Sequence, residues 1–400
     1  MTGSEAKPIT SDVKCKRAVK ENAEITFKII LVLGFISLFN SSQSALLGTI
    51  GDIALYLISA VALFYLAAFN GGASFSTVQR ALVLYMLLGG FVSLCMLEVS
   101  FSYVIRLFII VFLGSLIRRL DYGFVMNYLR KCAVLMLLIS LVDVFMFLLN
   151  RQMIFGNSNS IGLLGSLALL IILLSPEKKY KITLTVLCLC VIILSETRTA
   201  ILFFAVLWFM RLCTKKLKNA QSVRNIFLLF ALGCAVVIYF YINLSNFAFF
   251  EKLNTFVYSV TGKSLYSGRQ VLWSGIFKNF KREYIFFGYG MGSDLSGLTG
   301  QELSAHNQFI QLLCQGGLLG LLSLLYALYY ISVRTFRRGR KNSWVIVPAV
   351  IIYNMFEVFL IQNHFSVGLF IWIILFANMY YNNSSKNVPN KNQGAADNGK

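Results

Sequence analysis

The sequence predicts an all-α integral membrane protein with about twelve transmembrane helices and one large, partly helical loop between the ninth and tenth. Three observations carry this prediction. Apolar residues make up 58% of the chain and charged residues 13%, against roughly 45–50% and about 25% in soluble domains. Only 4 of 400 residues are proline, so little interrupts long helices. Apolar runs of about 20 residues, the length that crosses a hydrocarbon layer of about 30 Å, recur from end to end. The runs are apolar on every face, unlike the alternating strands of an outer-membrane barrel.

The spans are expected near 25–40, 50–69, 81–97, 99–117, 132–149, 160–175, 182–196, 199–213, 226–244, 311–333, 344–361 and 365–381. Glu98 and the run Glu196-Thr197-Arg198 break two tight hairpins. The N-terminus is basic and then apolar, like a signal segment, but another span follows at once without a small-residue cleavage site. It reads as a retained first helix.

Charge assigns a side to each loop. Lys and Arg collect in cytoplasmic loops, and residues 1–24 carry Lys7, Lys14, Lys16, Arg17 and Lys20. With that segment inside, alternate loops and the tail hold 26 of the 36 basic residues, and the opposite side holds 8. Both termini are therefore expected in the cytoplasm, with the chain in an inner or plasma membrane. Residues 25–244 form helices 1–9, residues 311–381 form helices 10–12, and the Asn-, Lys- and Gly-rich stretch 382–400 reads as a disordered cytoplasmic tail. The net charge of +20 is accounted for by basic loops facing anionic headgroups, with no need of a nucleic-acid partner.

The remaining segment, 245–310, is the informative one. Connections beyond about 12–15 residues are usually functional or disordered. This one is rich in Phe, Tyr and Trp, and holds no cysteine, so it is expected to fold against the membrane without a disulfide. The apolar spacing over Val271, Leu272, Ile276, Phe277 and Phe280 fits a short amphipathic helix. Gly288-Tyr289-Gly290-Met291-Gly292 reads as a turn with close backbone approach. Gly316, Gly317 and Gly320 read as a close helix-packing surface.

Four pieces fall together on the expected outer side: Ser195-Glu196-Thr197-Arg198-Thr199-Ala200, Ser267-Gly268-Arg269 with Trp273, Gly288-Tyr289-Gly290, and His306-Asn307 leading into Gly316-Gly317. In order and spacing they resemble the O-antigen ligase/polymerase superfamily, which includes Wzy-type polysaccharide polymerases and WaaL-type ligases. The resemblance covers most of the chain in topology and residues 195–200 and 267–320 in motif. Glu196-Thr197 departs from the smaller residues usual before that arginine.

The resemblance implies transfer of a glycan from undecaprenyl pyrophosphate to an acceptor hydroxyl, by a metal-independent, inverting glycosyltransferase without cofactor. A repeat-unit polymerase of capsule, O-antigen or exopolysaccharide leads; a ligase is the near alternative. Chemistry suits the residues. A departing lipid diphosphate gathers negative charge, which guanidinium forks receive and keep. Arg198 and Arg269 match the motif for that role. Histidine takes a proton near neutrality; of His306 and His364, both expected outside, His306 matches the motif as catalytic base. Arg106 lies mid-span, where a charge is costly and functional by default. It either binds a second diphosphate or pairs with Asp143 or Glu357. Asn307, Glu357 and Tyr289 are supporting residues. The first outer loop, with Ser41-Ser42-Gln43-Ser44, offers no acid to bind a cation. Expected partners are the lipid-linked glycan, membrane lipids, and flippase and chain-length regulator proteins. A lipid-linked oligosaccharide flippase is the alternative of another class; it would favour repeated halves and a midplane site, and no internal repeat is visible.

Overall fold

A computed structural model describes residues 9–68, 75–96, 100–149, 153–155, 158–214, 217, 219–243, 247–262, 264, 268–300 and 304–381. The expected tail 382–400, Ser267 and Glu98 lie outside the described residues. The helices are α1 (Ile9–Ser37), α2 (Ala45–Ala68), α3 (Thr77–Cys95), α4 (Phe101–Ile117), α5 (Tyr122–Leu148), α6 (Ser158–Leu174), α7 (Lys181–Leu194), α8 (Arg198–Thr214), α9 (Ala220–Ile242), α10 (Ala248–Thr261), α11 (Arg269–Asn279), α12 (Ser296–Thr299), α13 (Gln308–Arg337), α14 (Ile346–Asn354) and α15 (Phe365–Tyr380). No strand occurs among the described residues. The protein is all-α, and among the described residues six helices are long and apolar enough to cross a membrane, with four shorter apolar helices besides.

Each expected span falls on a helix, with two instructive differences. First, α1 begins at Ile9, well before the apolar run. Its basic turns carry an Arg17–Glu21 pair at 3.0 Å, and Lys20 reaches Asp121 at the start of α5, 2.5 Å away. Second, the eleventh span shrinks to the nine residues of α14. The apolar run Val358-Phe359-Leu360-Ile361 looks helical in sequence but is an irregular, buried segment. Its backbone is satisfied from neighbours: Leu360 and Ile361 N–H donate to Gln308 Oε1 at 3.1 and 3.4 Å, and Trp372 Nε1 donates to the Leu360 carbonyl at 2.9 Å. Non-helical backbone survives at such depth only where protein surrounds it.

Burial separates inner from outer helices. Residues 160–172 of α6 and 365–379 of α15 are buried on every face, as expected of helices surrounded by others. Along α9, by contrast, only Val223, Phe227 and Cys234 are buried, while Leu228, Leu229, Leu232, Tyr239 and Phe240 are exposed. So much open apolar surface would promote aggregation in water; in a bilayer it is the lipid face.

The loop 245–310 is largely helical, with α10, α11 and α12. The expected amphipathic helix is α11, and α10 was not foreseen. Trp273, Ile276, Leu295, Leu298, Ala305, Ile310 and Cys314 form a small core of their own. The loop is also bonded into the bundle. At Gly317 α13 breaks (φ 61°, ψ −160°). The freed N–H groups of Leu318 and Leu319 donate to the carbonyls of Ile285 and Phe286 at 2.8 and 3.1 Å, and Tyr289 N–H donates to the Cys314 carbonyl at 2.7 Å. A Cβ at Gly317 would lie 2.3 Å from the Phe286 carbonyl carbon, so only glycine fits. Gly316 and Gly320 pack on Tyr85 instead. Of the three glycines, two serve close packing and one a backbone break.

Candidate active site

Four elements bring the polar residues together. Gly268, at φ 76°, turns the chain into α11, which starts with Arg269. Trp273 of the same helix is fully buried and donates Nε1–H to the Ala305 carbonyl at 2.7 Å. That bond ties α11 to the residue before His306. Asn307 then caps α13, its Oδ1 accepting from Phe309 and Ile310 N–H at 2.9 and 3.0 Å. The irregular segment after α14 supplies Glu357, held in place through Gln308 as described above.

The result is a cluster around one carboxylate. Arg269 Nη2 donates to Glu357 Oε1 at 3.2 Å, and His306 Nδ1 lies 3.9 Å from Glu357 Oε2. Glu357 is buried and Arg269 nearly so, whereas the His306 side chain is 44% exposed. The imidazole distance is too long for a hydrogen bond but short enough for an imidazolium to be attracted to the carboxylate. The Arg269 guanidinium also sits 5.7 Å over the Phe356 ring.

His364 belongs to the same neighbourhood. Its Nδ1 is 3.0 Å from Ser41 Oγ. Burial pushes its imidazole below the ordinary value; Glu357 opposes this and His306 adds to it. Sequence reasoning ranked His364 below His306 and left Ser41 out. The signal for His364 was its position on the same expected side, without any contact that sequence could reveal.

Arg198 stands at the start of α8 on a rigid turn. Thr197 is buried, its hydroxyl donating to the Ser158 carbonyl at 2.8 Å, and a Cβ on Gly162 would meet it at 2.6 Å. The exposed Arg198 Nη1 donates to the Ser264 carbonyl at 3.0 Å. Ser264 precedes Arg269 by five residues, so the chain itself keeps those two backbones within roughly 18 Å. The backbone is strained here. Glu196 (φ 51°), His306 (φ 47°) and Asn363 (φ 35°) are three of the four non-glycine residues with positive φ among the described residues, and such conformations gather at functional sites.

Other expected residues lie elsewhere. Tyr289 stacks on Tyr284 at 4.2 Å and its hydroxyl accepts from Lys281 N–H at 2.9 Å. Arg106 makes no ion pair with Asp143 or Glu357. Asp143 instead accepts from the N–H groups of Ile154 and Phe155 at 2.7 and 3.2 Å. Arg106 sits 6.0 Å over the ring of Phe365, the first residue of α15. Among the described residues no group of three or more His, Cys, Asp or Glu side chains is arranged to hold a metal ion.

These features define a class: an all-α membrane protein whose buried acid, partly exposed histidine and an arginine meet where a structured loop joins the bundle. Residues 183–325 match the model of a family described as O-antigen ligase. The stretch from α7 to the middle of α13 is thus similar to that O-antigen ligase family, in keeping with the O-antigen ligase/polymerase superfamily. Arg198, Arg269 and His306 lie within the match; Glu357 and His364 lie beyond it. A search of curated proteins found no match.

Proposed function

We propose that the protein is a glycosyltransferase that polymerises oligosaccharide repeat units carried on undecaprenyl pyrophosphate, working on the outer face of the cytoplasmic membrane. The observation carrying this reading is the Arg269–Glu357–His306 cluster, with Arg269 and His306 inside the segment similar to the O-antigen ligase family and Glu357 brought to them from beyond it. The acceptor hydroxyl attacks the anomeric carbon and its proton passes to His306. The bond from that carbon to the diphosphate oxygen breaks, inverting the centre. Glu357 stabilises the imidazolium as it forms, the part an acid plays beside a histidine base. Arg269 and Arg198 receive the charge on the departing diphosphate. The Glu357 salt bridge holds the Arg269 fork in position while leaving further N–H donors for phosphate.

This sequence of steps uses no metal. Purified protein supplied with lipid-linked repeat units is expected to extend chains in EDTA. Strict dependence on Mg²⁺ or Mn²⁺ would reject the account. A ligase would use the same chemistry with another acceptor; transfer of preformed glycan to a different acceptor, without chain growth, would favour it. In the cell the donor must first reach the outer leaflet, which implies a flippase, and product length implies a regulator.

A further inference from the structure

A cavity lies at the other end of the bundle from the His306 cluster. It encloses about 970 Å³, within the range of ligand sites, and is lined by Arg80, Arg118, Arg119, Arg334 and Arg338 together with Asp121 and several tyrosines. Its separation from His306 is fixed by α13. His306 and Asn307 precede that 30-residue helix, and Arg334 sits in its last turn. At 1.5 Å rise per residue a straight helix would put the two roughly 40 Å apart, and the break at Gly317 makes that an upper bound.

The lining is selective. Five arginines and one acidic residue are among the lining residues, and that acid, Asp121, already takes Lys20 at 2.5 Å. No lysine is among the described residues that line the cavity, although lysines are frequent in other basic loops of the chain. A general attraction to headgroups would use either cation. An all-arginine lining provides planar forks matched to phosphate oxygens.

The walls are preorganised. Ser76 caps α3 through a reciprocal pair with Gln79, and Gln79 Nε2 donates to the Val111 carbonyl and Ser115 Oγ at 2.8 and 2.7 Å. The Tyr380 hydroxyl completes this wall by donating to Gln79 Oε1 at 3.3 Å. The N-termini of α3 and α5 both open on the cavity, and each adds partial positive charge. Three helix C-termini also end here, and some arginine capacity answers their carbonyls and nearby tyrosines. Arg338 Nη1 donates to the Tyr381 carbonyl at 3.2 Å, Arg334 Nη1 to Tyr330 Oη at 3.1 Å, and Arg119 Nη1 to Tyr65 Oη at 3.0 Å. For Arg334 and Arg338, one such bond leaves most of the five donors that a guanidinium carries.

We propose that this cavity is a binding site for a phosphate-bearing anion, separate from the His306 cluster. The shared chemistry is a phosphoryl group seated among Arg80, Arg334 and Arg338. Two sources present it: the headgroup of an anionic phospholipid, or a soluble diphosphate.

The full chain, purified in detergent, tests both. In one arm, native mass spectrometry follows retention of phosphatidylglycerol against phosphatidylcholine after reconstitution with each. In the other, melting temperature is followed against inorganic pyrophosphate. Arg80→Gln with Arg334→Gln is compared with Arg224→Gln, an exposed arginine outside the cavity. Preferential phosphatidylglycerol retention, weakened roughly tenfold or more in the double variant but not the control, establishes the lipid source. A melting shift with pyrophosphate, lost in the same pattern, establishes the soluble source. The charge-keeping pair Arg80→Lys with Arg334→Lys should lose part of either signal, because the fork is gone. Equal loss in the control and cavity variants, or no binding in either arm, overturns the proposal.

Discussion

Arg269 and Glu357, 88 residues apart in the chain, meet at 3.2 Å with both side chains largely withdrawn from solvent. The carboxylate that orients the guanidinium also faces His306. One buried acid thereby couples the expected leaving-group site to the expected base.

Glu357→Gln keeps the size and an acceptor oxygen but removes the charge. Polymer formation by the purified variant should fall on the order of tenfold or more, the worth of a hydrogen bond between charged groups. Insertion and yield should be retained. Unchanged turnover would remove Glu357 from the mechanism.

His306→Ala should lower chain extension by about 10²–10⁴-fold, the usual contribution of a positioned base, and Arg269→Ala by about 10²-fold or more. Arg269→Lys should recover little, because an ammonium cannot hold Glu357 and phosphate as a fork does. Polymer of normal length in cells carrying either alanine variant would sink the assignment.

His364 predicts a pH effect on stability. Burial lowers its imidazole below the ordinary 6.5. Above that value the histidine is neutral in both folded and unfolded chains and costs nothing. As pH falls below 6.5 the unfolded chain takes up the proton first, so stability declines until the folded value is reached. Melting temperature should drop between neutral pH and pH 5, and His364→Gln should flatten that part of the profile. An identical slope in the variant would exclude His364 as its source.

Gly317→Ala should undock the loop. The backbone conformation alone costs of order 1–3 kcal/mol for a non-glycine residue, and the new Cβ would collide with the Phe286 carbonyl group. Faster proteolysis within 245–310 is expected while the rest of the bundle persists. Wild-type resistance would show that the break in α13 is not needed to seat the loop.

Sidedness is tested directly. A tag at residue 260 should react with impermeant reagents on whole cells, and one at residue 217 should not. The reverse pattern overturns the orientation derived from charge.

Much of the architecture was legible because apolar length is a one-dimensional signal. Each run long enough to span a bilayer corresponds to a helix, and the loop 245–310 stood out by composition alone. The failures share a cause. Residues 358–361 are as apolar as a spanning helix, yet Gln308 and Trp372, remote in sequence, claim their backbone groups. The early start of α1 and the helix α10 escaped notice because neither is carried by a long apolar run.

The site divides in the same way. Arg198, Arg269 and His306 were recognisable from local motifs and from the order in which those motifs occur. That Glu357 rather than Asp143 meets the cluster, that His364 joins it with Ser41, and that Arg106 stands apart with Phe365 were not. By itself the sequence determined a membrane-embedded helical protein, a charge asymmetry between its loops, and one long segment rich in chemistry. Hydropathy and charge act residue by residue, so order along the chain is enough to express them. Only the tertiary structure decided which carboxylate serves which arginine, and that five arginines converge on a cavity at the far end. Those pairings depend on distances of a few ångströms between residues far apart in the chain, set by how the helices pack.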